Sequence, residues 1–121
     1  MGDKGNDDAF EKQLAALRRA YVAHLPGRRE ELAALSAAVA RNPNAARKKI
    51  AKIHETAHNL SGSGGSYGAP GIGAAAAEVE RACEAILNSG NAASAAHWRE
   101  VERLLGPLKS AIDDFVRKEG G

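Results

Sequence analysis

Two histidines four residues apart, His54 and His58, enclose Glu55 in the run His54-Glu55-Thr56-Ala57-His58. An interval of four puts both imidazoles on one face of a helix. The run satisfies H-E-x-x-H, the spacing with which two histidines hold zinc while the glutamate acts as general base of a metallopeptidase. Catalytic zinc requires a third protein ligand. The extended pattern places Gly and His three and six residues beyond the second histidine, and here those positions are Ser61 and Gly64. Glu78 and Glu80 are left as substitute ligands. Zinc held by His54 and His58 without catalysis is a further possibility.

The same histidine supports a different chemistry. Counting about 100° per residue, the centre of the apolar ladder around it lies about 110° from His58, so its ring belongs on the flank of the helix, reachable by a partner. Gly62 stands one turn beyond it and adds no side chain beside the ring, although glycine costs a helix interior up to about 1 kcal/mol relative to alanine. Close helix packing is the ordinary reason for such a glycine, but Gly62 points away from the ladder. An exposed imidazole with a bare next turn reads as a reactive histidine.

The elements that position these groups are helical. The chain has 121 residues, 44% hydrophobic and 26% charged, and about a fifth are Ala, which suits one compact domain. Alternating β-branched or aromatic runs are lacking, so the class is all-α. Five apolar ladders have helical spacing. The first is Phe10, Leu14, Leu17 and Tyr21; the second, after Pro26-Gly27, is Leu32, Leu35 and Val39. Asn42 as N-cap and Pro43 in the first turn open the third, with Ile50, Ile53, Ala57, Leu60, Gly64 and Tyr67 inward and an end near Ser66. Pro70 and Gly71 start the fourth, carrying Ile72, Ala76, Val79, Cys83 and Ile86, and Asn88-Ser89-Gly90-Asn91 closes it. The fifth holds Trp98, Val101, Leu105, Leu108, Ile112 and Phe115, with a kink or a junction expected at Gly106-Pro107. Short connections favour an up-and-down antiparallel four-helix bundle with an additional N-terminal helix. Residues 1–7 form a flexible leader, 8–117 the domain and 118–121 a flexible tail.

Several classes fall away. The single Cys83 cannot build a disulfide framework and reads as a buried apolar residue in a reducing compartment. No stretch reaches the length of a membrane span and the opening residues do not form a signal peptide, so a cytoplasmic location is expected. Seventeen Lys plus Arg against fifteen Asp plus Glu leave a net charge of +2, and aromatics make up 4% of the chain, so nucleic acid is not an expected partner. His24 and His97 read as structural or surface residues, Trp98 and Tyr67 as core.

The run Ala57-His58-Asn59-Leu60-Ser61-Gly62-Ser63-Gly64-Gly65-Ser66-Tyr67-Gly68 resembles the signature of histidine-containing phosphotransfer (HPt) domains: a phosphorylated His, Leu two later, Gly four later, small residues, then an aromatic-Gly pair. Upstream, Tyr21-Val22-Ala23-His24-Leu25-Pro26 with Arg28 and Leu32 is similar to the segment joining the first two helices of the family. Downstream, Ala76-Ala77-Glu78-Val79-Glu80 is similar to its Ala-x-x-Leu-Glu segment. The resemblance spans about residues 10 to 116. It implies that Nε2 of His58 takes a phosphoryl group from a receiver-domain aspartyl phosphate and passes it to another receiver Asp, with His54, Glu55, Ser61, Gly62 and Gly65 around the site. Its partners would be receivers of response regulators or hybrid histidine kinases. Mg²⁺ would sit on the receiver, with no metal or other cofactor on this chain, which would act as a monomer. Phosphoryl transfer is largely positioning and charge stabilisation, so so small a chain needs no catalytic apparatus.

One position departs from the pattern: many members carry Lys three residues after the His, and here it is Ser61, which donates a hydrogen bond but no charge. Lys52 and Arg81 are candidates for the missing cation. Glu55 is a candidate to hold Nδ1–H and orient the ring. A zinc peptidase, and a helical module that docks without being phosphorylated, stand as the alternatives.

Overall fold

The structure, a computed structural model, describes residues 3–42, 46–89 and 95–120. Its elements are four helices: α1 (Asp3–Arg41), α2 (Arg47–Ser66), α3 (Pro70–Leu87) and α4 (Ala95–Gly120). Each packs on two others in a closed ring, α1 against α2 and α4, and α3 against α2 and α4. Residue pairs across the seams run in opposite directions. Along α1 and α4 they are Arg18 with Glu119 and Arg29 with Asp113; along α1 and α2, Tyr21 with Tyr67 and Glu31 with Thr56. The fold is the expected up-and-down antiparallel four-helix bundle.

The core is the set of inward ladders. Leu25, Leu32 and Val39 enter from α1; Ile50, Ile53, Ala57 and Leu60 from α2; Ile72, Ala76, Val79, Cys83 and Ile86 from α3; Trp98, Val101, Leu105, Leu108 and Ile112 from α4. Leu25 and Leu32 are seven residues apart, two turns, and so lie on one face. Both are buried, and they bracket Pro26-Gly27. That bracketing is why the two N-terminal ladders form one helix: packing holds both halves in line. Pro26 itself is exposed, where water can take the carbonyl its missing N–H leaves unbonded. Gly106-Pro107 repeats the arrangement, exposed between buried Leu105 and Leu108, and α4 likewise runs through it. The additional N-terminal helix is therefore the first half of α1, which takes in residues 3–7 of the segment expected to be a leader.

The outward ladder of that half is a correction. Phe10, Leu14 and Leu17 remain 60%, 47% and 47% exposed, and burial begins only near Tyr21, because among the described residues no other helix covers the earlier turns. A second correction concerns Asn42. Its N–H bonds the Val39 carbonyl at 3.1 Å at the end of α1, and α2 opens after Ala46 without a side-chain cap. Pro43, Gly90 and Asn91 lie outside the described residues.

The junction of α2 and α3 fixes the site's surroundings. Ala69 N–H bonds the Gly64 carbonyl at 2.7 Å and Gly68 N–H the Gly65 carbonyl at 3.4 Å, the two closures of a Schellman motif. Gly68, at φ +76°, supplies the left-handed residue the motif needs, and Pro70 opens α3 two residues later. Just before this turn the two helices touch backbone to backbone. A Cβ on Gly64 would lie 2.6 Å from Gly73 N and 2.8 Å from Gly73 Cα. Gly64 is thus the close-packing glycine of the run.

Candidate functional site

His58 projects from α2 with 67% of its side chain exposed. The inward residues before and after it, Ala57 and Leu60, are buried, so the backbone under the ring is held by the core while the imidazole stands in solvent. Its Nδ1 lies 2.8 Å from Oε2 of Glu80 on α3. A carboxylate only accepts, so Nδ1 carries the hydrogen and donates it. In the neutral ring the lone pair is then on Nε2. Glu80 is only 18% exposed, and a short charge-assisted bond to a shielded carboxylate fixes both the tautomer and the ring plane.

The next two turns on this face are bare. Gly62 and Gly65 are exposed, and a Cβ on either would meet no atom within 4 Å. Beside them, α1 and α2 form a groove of about 370 Å³ lined by Leu17, Tyr21, His24, Arg28, Asn59 and Ser63, among others. Tyr21 and Tyr67 stack at its end with centroids 4.6 Å apart. Burial pushes the Tyr21 phenol upward, so it stays a neutral aromatic wall.

The remaining candidates are placed as follows. Glu55 does not reach the ring nitrogen: its carboxylate pairs with Lys52 Nζ at 3.6 Å, and it is 63% exposed. Glu80 holds the ring instead, which corrects the orienting role expected of Glu55. Lys52 is committed to that pair, and Arg81 pairs with Glu78 on its own helix; the structure brings neither to His58. Ser61 is half-buried on the α3 side, its carbonyl 3.4 Å from where a Cβ on Gly73 would stand. His54 is parallel to His58 with ring centroids 6.4 Å apart, and its Nε2 lies 3.1 Å from Oε1 of Glu84. The two histidines therefore face two different glutamates of α3. Glu80 stood in the sequence only within the Ala76–Glu80 segment and as a substitute metal ligand, and Glu84 was missed. On antiparallel helices partners shift back four residues as the other chain advances four, so once the register is set His54 meets Glu84 and His58 meets Glu80; the sequence carries the spacing of four on both helices but not the register. His24 is exposed beside the groove, Trp98 is buried as expected, and Tyr67 is half-buried. Cys83 is fully buried, and desolvation with Glu84 beside it pushes its thiol up to about 12; it is no nucleophile.

The model of the Hpt domain family matches residues 9–115. The chain belongs to the Hpt domain family. Its family role is histidine phosphotransfer. Comparisons with curated proteins and with solved structures gave no match. Among the described residues of this Hpt domain, no helix is long and apolar enough to cross a membrane. Neither the family match nor the placement of Glu55 favours the peptidase reading of His54-Glu55-x-x-His58, and nothing favours a docking module that is never phosphorylated.

Proposed function

We propose that His58 is the phosphoryl acceptor of this Hpt domain, and that it relays the group between the aspartates of two receiver domains. The observation that carries the reading is the pairing of an exposed imidazole with a shielded carboxylate through Nδ1, which turns the nucleophilic Nε2 outward. In the forward step the Nε2 lone pair attacks the phosphorus of a receiver aspartyl phosphate. The N–P bond forms, the P–O bond breaks and the Asp leaves as carboxylate. The ring that now bears the phosphoryl group keeps its hydrogen on Nδ1, where Glu80 stabilises the positive charge it acquires. Transfer to the second receiver is the reverse attack, by that receiver's carboxylate.

The bare turn at Gly62 and Gly65 lets a receiver approach along the helix face, with the groove between α1 and α2 beside it. Mg²⁺ with its carboxylates belongs to the receiver. Ser61 brings no cation to the phosphoryl oxygens, so charge neutralisation also falls to the partner. The domain works as a cytoplasmic monomer, since its accepting face must be open to two successive visitors through a small, transient interface. The test is transfer from a ³²P-labelled receiver to the wild type and to His58→Gln. Label passes to the wild type within minutes and not to the variant, whose helical circular dichroism is unchanged; label on a folded His58→Gln overturns the assignment.

A further inference from the structure

Behind His58, the seam between α2 and α3 holds a second constellation that shares only Glu80 with the phosphotransfer site. His54, Glu80 and Glu84 each offer a ligand atom, and these atoms all lie within 4.8 Å of one another. The His54 Nε2 to Glu84 Oε1 distance is 3.1 Å. Tetrahedral coordination with metal–ligand distances of 2.0–2.2 Å sets neighbouring ligand atoms about 3.3–3.6 Å apart, so the His54–Glu84 pair needs to open by only a few tenths of an ångström and the Glu80 carboxylate to close in from within 4.8 Å. All three residues are partly buried. Among the described residues, the only ion-pair partners of Glu80 and Glu84 are the imidazoles of His58 and His54. Among the described residues, no lysine or arginine forms an ion pair with either carboxylate, and a neutral imidazole with two carboxylates carries the charge that a dication balances.

We propose that a divalent cation of the zinc type binds between α2 and α3 on His54 Nε2, Glu84 and Glu80, with solvent at the fourth position. One imidazole with two carboxylates suits zinc, whereas Mg²⁺ keeps to oxygen ligands and its water shell. Coordination through Nε2 requires the other neutral tautomer of His54, with its hydrogen on Nδ1. This is not the H-E-x-x-H site: Glu55 takes no part and His58 is not a ligand. Because Glu80 serves both constellations, the bound cation draws electron density from the carboxylate that holds His58 Nδ1–H. The proposal does not depend on His58 accepting a phosphoryl group.

Isothermal titration of the full chain with zinc chloride separates the cases. The expected result is one site of micromolar affinity, weakened at least tenfold in His54→Gln and in Glu84→Gln, retained in His58→Gln, and absent with magnesium chloride. In ¹⁵N-labelled protein, zinc is expected to shift the His58 Nδ1 resonance, and to leave it unmoved in Glu84→Gln. No zinc binding by the wild type, or equal binding by His54→Gln and Glu84→Gln, overturns the site. Loss in His58→Gln as large as in His54→Gln places the metal on the two histidines of α2 and overturns it equally.

Discussion

At the scale of single residues, what sets His58 apart is the partner of its inner nitrogen. Glu80 accepts from Nδ1 at 2.8 Å while two-thirds of the side chain stays in solvent, and so one nitrogen is anchored and the other offered. Glu80→Gln keeps the shape but removes the charge, and can present its amide instead of an acceptor. Phosphoryl transfer to His58 should slow about tenfold, the equivalent of about 1.4 kcal/mol of lost charge-assisted hydrogen bonding, with stability little changed. Glu55→Gln should leave the rate within about twofold, since its carboxylate meets Lys52 and not the ring; timed transfer from one labelled receiver compares the two. The His58 flank was legible from helical spacing, and so was the empty turn at Gly62. The identity of the orienting carboxylate was not. Spacing within α2 makes Glu55 a neighbour of His58, whereas Glu80 arrives through the register of a second helix, which no local pattern specifies.

At the scale of elements, glycines of one run do opposite things, and substitution should separate them. Gly64→Ala drives a methyl to 2.6 Å from the Gly73 backbone, which cannot swing aside as a side chain would, and is expected to cost about 1–3 kcal/mol in urea unfolding. Gly62→Ala enters open space within α2 and should stabilise the domain by about 0.5–1 kcal/mol. Gly62→Leu should fold as well as the wild type yet transfer more slowly, because its bulk stands where the receiver approaches. Pro26→Ala restores a backbone donor in α1 at an exposed position and is expected to raise stability by up to about 3 kcal/mol. The sequence disclosed the ladders of α2, α3 and α4 almost residue for residue, along with the end of α2 at Ser66. It misled at Pro26-Gly27, where propensity predicts a break and buried leucines on both sides keep the helix running; at Gly106-Pro107, where a kink or a junction is expected, α4 is continuous. It misled also at Phe10, Leu14 and Leu17, since periodicity identifies a face but not whether another helix is there to cover it.

At the scale of the whole molecule, the bundle is a rigid holder for one outward ring, and its stability is separable from its chemistry. Cys83 reports on the former. In the folded state burial holds its thiol protonated up to about 12, against 9.0 for an ordinary thiol. The folded state thus binds this proton more tightly than the unfolded state, and its contribution, complete below pH 9, is lost as pH rises from 9 toward 12. For the same reason thiol reagents at pH 8 should modify Cys83 only as fast as the bundle opens, at the same rate in wild type and His58→Gln. The chemistry is tested most directly by locating the phosphate itself. After incubation with a phosphorylated receiver, mass-spectrometric mapping under neutral conditions should find a single acid-labile phosphoryl group on His58. Finding it on His24, His54 or His97, or finding none on a folded domain that binds the receiver, would contradict His58 as the phosphoryl carrier.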